Sequence, residues 1–240
     1  MSGLGDDDGA DVRPAREPSP AGDDLRGLRF VVSAGPTAEP LTRFGDVVSN
    51  FSSGLQGWEV ACALADRGAA VRLVAGPTPL ADPAHPGIET VRVSTAREML
   101  DAVLASLPAD CYVGVAAVAD FAPAVPSFVA WRPDLTATLT LEQNPDILQT
   151  VGTHPTLRPR AVIGFAAETR DLEAYARGKL ERKGADAIFG NLVGEAATAR
   201  GSGRNHVLLV TADGAADMGE TDKYAVGVMV GDFVRARVAR

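Results

Sequence analysis

Between Leu28 and Ala117, short apolar runs alternate with stretches of helical spacing, and that rhythm leaves few folds open to the chain. Leu28–Ala34 (LRFVVSA) is rich in β-branched residues and stops at Gly35-Pro36, which marks a buried strand. Over Gly54–Arg67, the residues Leu55, Trp58, Ala61, Cys62 and Ala65 recur at helical spacing, and Gly68 ends the helix. Val71–Ala75, closed by Gly76-Pro77, is the next strand, and Ile88–Val93 follows it. Ala96–Leu107 reads as a helix and Cys111–Ala117 (CYVGVAA) as a wholly apolar strand. Strands separated by helices run parallel with crossovers, so the spacing predicts an α/β fold: a Rossmann-like, doubly wound, mostly parallel sheet.

The second half is less regular and partly antiparallel. Leu135–Leu141 alternates like a strand, Pro145–Val151 is a short helix and Ala161–Ala166 a buried strand. Leu172–Lys183 is helical, Ala187–Phe189 and His206–Thr211 are strands, and a closing helix runs from about Lys223 to Arg237. Residues 1–26 form an acidic tail, where Asp6, Asp7, Asp8, Asp11, Glu17, Asp23 and Asp24 face only Arg13, Arg16 and Arg26. With so little to bury, the tail is expected to be disordered, leaving one domain over residues 27–240. The net charge of −8 argues against a nucleic-acid surface. No apolar stretch approaches the ~20 residues of a membrane span, and the polar start has no secretory core. A cytoplasmic protein is expected, with Cys62 and Cys111 as reduced thiols rather than a metal or redox pair.

In an open parallel sheet the ligand lies beyond the carboxyl ends of the strands, and four segments there carry unusual residues. Ser33-Ala34-Gly35-Pro36-Thr37 stands where a dinucleotide fold would place GxGxxG, and the pattern is absent, which disfavours an ordinary NAD or FAD site. Ser49-Asn50-Phe51-Ser52-Ser53-Gly54 precedes the first helix, either as a cap or as a cradle for a carboxylate or other anion. Asp120 follows a buried strand and suits a ribose, base or metal contact. Lys179 and Lys183 lie one helical turn apart, in a chain with 23 cationic residues of which Lys223 is the only other lysine. Two cations on one face repel, so an anion between them is one reason for both, and a solvated face is the other. His85, His154 and His206 have no ligand spacing and read as structural. No GxSxG, HExxH, Walker or kinase signature is present.

Seven of these segments, in order, resemble the phosphopantothenate–cysteine ligase (phosphopantothenoylcysteine synthetase) family, the ligase half of the bacterial coenzyme A pathway flavoprotein. They are SAGPTAEP (Ser33–Pro40), SNFSSG (Ser49–Gly54), LADRGAAVRLVAGPT (Leu64–Thr78), AAVADF (Ala116–Phe121), NPDIL (Asn144–Leu148), GFAAET (Gly164–Thr169) and KLERKGAD (Lys179–Asp186). The resemblance implies that a carboxylate attacks the α-phosphate of CTP to give an acyl-cytidylate and pyrophosphate. The amine of cysteine then displaces CMP, with Mg²⁺ on the phosphates. It also implies that Asn50 contacts the acyl-nucleotide, that Gly114, Val115, Ala116 and Ala117 line the nucleotide pocket, and that Asp120 lies near ribose or base. Pro145, Asp146, Ile147 and Leu148 would hold the nucleotide at a helix start, Phe165 would pack near it, and Lys179 and Lys183 would serve its charged end. Ser49, Ser52, Ser53 and Gly54, with Asn50, would take the acid. A homodimer is implied, and no flavin, since the decarboxylase half that carries it is not in this chain.

Several positions depart from the family pattern. Asp46 stands where the family has an Arg associated with the phosphorylated acid, and Leu55 replaces the Lys of SSGKMG. A lysine-rich stretch expected after Asp120 reads FAPAVPSFVAWR (Phe121–Arg132), with Arg132 its only cation, and Asn191 is followed by Leu192 rather than an acid. These changes mark a divergent member and leave two other readings open. One is a relative acting on a different, unphosphorylated acid, which Phe128 and Trp131 would suit; the other is a nucleotide-binding module without ligase activity.

Overall fold

The computed structural model describes residues 22–129, 132, 136, 138–168, 170–192 and 204–238. In chain order come β1 (Arg29–Ala34), β2 (Ala38–Pro40), β3 (Val47–Ser49), α1 (Leu55–Ala65), β4 (Ala70–Ala75), β5 (Ile88–Arg92), α2 (Ala96–Ala105) and β6 (Cys111–Gly114). They are followed by β7 (Phe121–Pro123), β8 (Leu141–Gln143), α3 (Ile147–Gly152), β9 (Ala161–Glu168), α4 (Leu172–Lys183), β10 (Ala187–Leu192), β11 (Arg204–Thr211), β12 (Gly214–Asp222) and α5 (Lys223–Val238).

The main sheet has the order β12-β11-β10-β9-β6-β1-β4-β5. Pairings from β5 to β10 are parallel, while β11 and β12 join antiparallel at one edge. The chain builds outward from β1 through β4 and β5, then returns to the other side of β1 and builds outward through β6, β9 and β10. The strand order therefore reverses between β1 and β6, and the crevice beyond their carboxyl ends is where such sheets bind ligands.

Alternation along β1 explains the layering. Phe30, Val32 and Ala34 pack with Val60 and Leu64 of α1 and Val226, Val230 and Val234 of α5. Val31 faces the opposite way, among Met99 and Val103 of α2, Ile147, Leu148 and Val151 around α3, and Ala176 and Leu180 of α4. Both faces are covered, which is why these strands read as continuous apolar runs.

Three differences from the sequence reading have physical causes. The strand expected over Cys111–Ala117 ends at Gly114; backbone bonds from Val115 to Ser33 and from Ala117 to Gly35 carry its register a little further, until side chains take over at residues 118–119. The strand expected over Leu135–Leu141 forms instead at Leu141–Gln143, paired with Phe121–Pro123; residues 133–135 and 137 lie outside the described residues. A second small ladder pairs Ala38–Pro40 with Val47–Ser49, and the two are tied where Ser127 and Leu41 bond backbone to backbone at 2.8 Å.

Of the acidic tail, residues 1–21 lie outside the described residues, and Leu25 is buried against the core. Arg67 secures this segment. Its guanidinium, almost wholly buried, donates to Asp24, to Asp232 and to the carbonyl of Val228 in α5.

Candidate functional site

The crevice begins with close backbone approach. Gly54, which precedes α1, has φ +78°, and a Cβ there would lie 3.3 Å from the Cα of Gly35. Only glycine lets the turn after β1 and the start of α1 touch in this way. The two serines ahead of it face the helix end: Ser52 Oγ accepts from the Gly54 amide at 3.3 Å and Ser53 Oγ from Leu55 at 3.4 Å. No acidic residue occupies the first turn of α1.

Ser49 and Asn50 end β3 and reach across to other loops. Ser49 Oγ donates to the carbonyl of Thr37 at 2.7 Å. Asn50 Nδ2 donates to the carbonyls of Val118 at 2.9 Å and Ala117 at 3.4 Å. Two carbonyl partners fix the amide orientation, so Oδ1 is the end left to accept from a ligand. The β2–β3 hairpin that carries both residues is itself fastened, since buried Glu39 accepts from the Ala96 amide at 2.9 Å.

The loop after β6 forms the floor. Val115 N–H donates to Ser33 and Ala117 N–H to Gly35, which extends the β1–β6 register past the end of the sheet. Gly114 and Gly164 lie side by side on β6 and β9, with Leu148 of α3 packed over both. A Cβ on Gly164 would fall 2.6 Å from Leu148 Cδ2 and 2.8 Å from Ile188 Cδ1.

Charge gathers on the far side. Lys179 Nζ donates to the Phe165 carbonyl at 2.5 Å, and Lys183 is ion-paired with Asp146. Burial, then the neighbouring Lys183, push the Lys179 amine below its ordinary pKa, while Asp146, Glu168 and Asp120 hold it up. Asp146 also accepts from the Gln149 amide at 2.9 Å, so the start of α3 is capped by its own residue. Phe165 stacks on Phe189, ring centres 5.6 Å apart, at the edge of the cluster.

The residues singled out from sequence thus collect at one end of the sheet. Ser49, Asn50, Ser52, Ser53 and Gly54 flank the loop on one side. Gly114, Val115, Ala116, Ala117 and Asp120 belong to the β6 end, and Pro145, Asp146, Ile147, Leu148, Phe165, Lys179 and Lys183 stand on the other side. Two further residues join them, Thr37 of the SAGPTAEP segment and Asn144 of NPDIL, which sequence alone does not single out. Thr37 Oγ1 accepts from the Ala119 amide at 3.0 Å, and Asn144 Nδ2 donates to the Ala119 carbonyl at 2.9 Å. Their signal was a polar residue between apolar ones at a strand end, a weak cue without the fold. Asp46 is engaged in its own turn, accepting from Thr42 Oγ1 at 2.6 Å. Arg43 lies over the exposed Phe128 ring, 3.9 Å from its centre. Trp131 lies outside the described residues.

The three histidines do structural work, as read from sequence. His85 and His154 accept backbone amides within their own turns, and His206 faces Asp217. Cys111 is buried, with its thiol pushed well above the ordinary range by desolvation, and Cys62 is half-buried; the two are not joined in a disulfide. Among the described residues, no cluster of three or more His, Cys, Asp or Glu could hold a metal ion, and no helix is long and apolar enough to cross a membrane.

Known proteins share the sequence pattern and the fold. Residues 25–237 match the model of the DNA/pantothenate metabolism flavoprotein C-terminal domain. The coenzyme A biosynthesis bifunctional protein CoaBC of Vibrio parahaemolyticus is 36% identical over 219 residues, which cover 88% of this chain and 53% of that protein. The chain spans about half the length of the curated relatives it matches. Among solved structures, the C-terminal domain of CoaBC superposes with a TM-score of 0.75 at 32% identity, covering 90% of this chain and 98% of that one. A mutant of Cab2, solved in complex with phosphopantothenate-cysteine, shares the fold with a TM-score of 0.70 at 16% identity, over 89% of this chain and 88% of that one.

Proposed function

The chain belongs to the DNA/pantothenate metabolism flavoprotein C-terminal domain family, and from that premise we propose that it is a CTP-dependent ligase joining phosphopantothenate to cysteine. A carboxylate is inert to amines until one of its oxygens becomes a good leaving group. The acid's carboxylate oxygen attacks the α-phosphorus of CTP and pyrophosphate departs. The cysteine nitrogen then attacks the acyl carbon, CMP leaves, and the nitrogen gives up its proton to solvent. The site's tasks are to neutralise the triphosphate, hold the acyl-nucleotide away from water and orient the amine.

The observation that carries this reading is the pair Lys179 and Lys183, bonded to the Phe165 carbonyl near the end of β9 and to Asp146 at the start of α3, at the same end of the sheet as the loop that Asn50 fastens. In this reading the lysines take the nucleotide phosphates. Gly114–Ala117, Asp120, Pro145–Leu148 and Phe165 surround the nucleoside. Ser49, Ser52, Ser53 and Gly54 receive the acid at the start of α1, and Asn50 contacts the acyl-nucleotide. Mg²⁺ would supply charge neutralisation on the triphosphate, with Asp120 as the carboxylate to approach it, since Asp146 is engaged by Lys183 and by the Gln149 amide. The ligation itself calls for no flavin, so the purified chain is expected to be colourless.

Two further features belong to the proposal. Phe44, Val47, Val48, Phe121, Phe128 and Leu141 present an exposed apolar surface on the two small ladders, which supports a homodimer through that face. Light scattering that reports a monomer at micromolar concentration would remove this part. Two cysteines held as thiols rather than as a disulfide fit a reducing cytoplasm.

The test is pyrophosphate release with Mg²⁺, comparing CTP with ATP, with phosphopantothenate and cysteine each present or absent. Release with CTP that depends on phosphopantothenate, with CMP following on addition of cysteine, is the expected result. Nucleotide binding without release would count for a bare binding module. Release only with an unphosphorylated acid would count for a different substrate.

A further inference from the structure

We propose that Thr37 and Asn144 are positioning residues, forming with Asn50 a three-point clamp on the peptide groups at 117–119 that sets the nucleotide-side loop against the acid-side loop. The inference rests on the ligase reading above.

Thr37 is fully buried and joins both sides. Its carbonyl accepts from Ser49, on the acid side, at 2.7 Å. Its hydroxyl accepts from the amide of Ala119, on the nucleotide side, at 3.0 Å. Asn144 grips the same turn from the opposite flank. Its backbone N–H donates to the Asp120 carbonyl at 2.8 Å and its side chain to the Ala119 carbonyl at 2.9 Å. Asn50 holds the carbonyls of Ala117 and Val118.

Past Ala117, whose N–H still bonds to Gly35, the loop has left β1, so the peptide groups that follow need side-chain partners. Ala119 is itself buried, and an unpartnered amide there would be strongly disfavoured. A hydroxyl acceptor and a carboxamide donor meet the two opposite requirements of one residue, the N–H and the C=O on either side of the Ala119 Cα. Asp120 is the next residue, so any slack at Ala119 passes directly to its carboxylate. Asn50 shares the loop, so slack also shifts the amide that faces the reacting groups. Misplacement of about an ångström is enough to lower a rate substantially.

The experiment compares the full chain with Thr37→Val, Thr37→Ser and Asn144→Ala. Hydrogen exchange over residues 115–121 is measured beside steady-state kinetics in CTP at saturating phosphopantothenate and cysteine. Thr37→Val keeps the shape and loses the acceptor. Exchange in the loop is expected to rise about tenfold while that of β1 is unchanged, and kcat/KM for CTP to fall at least tenfold, mostly in kcat. Asn144→Ala should move both readouts in the same direction, and Thr37→Ser should return both toward wild type. If Thr37→Val does not fold, the half-buried Asn144 position decides. Unchanged loop exchange in the folded variants overturns the clamp, as does faster exchange with unchanged kinetics. A wild-type chain that releases no pyrophosphate with CTP overturns the proposed function instead, and the exchange data then judge the clamp alone.

Discussion

Replacing Lys179 by Met separates function from stability by their signs. Lys179 donates to a neutral carbonyl, that of Phe165, and burial and Lys183 both work against its charge. Methionine fills the same stem volume, loses one hydrogen bond of about 1 kcal/mol, and removes the desolvation and the repulsion. Folding stability should therefore change by no more than about 1 kcal/mol, which in a chain of this size moves Tm by less than about 4 °C. Nucleotide affinity has no such compensation. A charge-assisted bond to phosphate contributes about 1.5–3 kcal/mol, so CTP binding should weaken about tenfold to 150-fold. Calorimetric titration with Mg²⁺ and CTP, beside urea unfolding, reads both. The pH dependence gives a second arm. Because Lys179 has its folded pKa below 10.5, the unfolded chain binds more protons between that lowered value and 10.5. Its contribution to stability thus rises with pH across this window. The difference between wild type and the methionine variant should grow in favour of wild type as the medium becomes alkaline, while wild-type CTP affinity declines over the same range. Unchanged CTP binding together with a stability loss of several kcal/mol would refute the reasoning and make Lys179 a structural residue.

Other expectations follow from packing and charge. Arg67→Met removes a buried guanidinium from Asp24, Asp232 and the Val228 carbonyl. Since those carboxylates are 29% and 58% exposed and rehydrate, the loss should be about 2–4 kcal/mol in urea unfolding. Arg67 holds the Asp24 carboxyl below its ordinary 3.8. That stabilisation is present above 3.8 and lost as the pH falls through the folded value, so the variant should lose part of the wild type's acid sensitivity. Gly164→Ala drives a methyl to 2.6 Å from Leu148; a cost of about 1–3 kcal/mol and a raised KM for CTP are expected, and a variant as stable and as active as wild type would contradict the packing.

The parallel core was legible because burial on both faces leaves no polar alternation to misread. Phe30, Val31 and Val32 point to different layers, yet all are apolar. The small ladders were not legible. Ala38–Pro40 and Phe121–Pro123 are three residues long and end in proline, which local patterning assigns to loops. Gly214–Asp222 is largely exposed and polar, and becomes a strand only through pairing with β11. At the site, Lys179 and Lys183 stood out because lysine is scarce in this chain. Thr37 did not, because a single hydroxyl among small residues acquires meaning only when the Ala119 amide arrives from 82 positions away.

The anchoring of residues 22–28 has a consequence for handling the protein. Arg235, near the end of α5, meets Asp24 at 3.0 Å. Arg237 donates to Asp186 and to the carbonyl of Arg160, at the amino ends of β10 and β9. Head and tail of the fold therefore emerge together beneath the sheet, with the strands' full length between them and the crevice. A dye, a carrier domain or a tether grafted at either end would ride on the floor of the molecule and leave the ligand entrance open. Residues 22 and 238 could also be joined and the chain cut anew elsewhere, giving a permuted chain in which Arg67 still ties the Asp24 segment to α5.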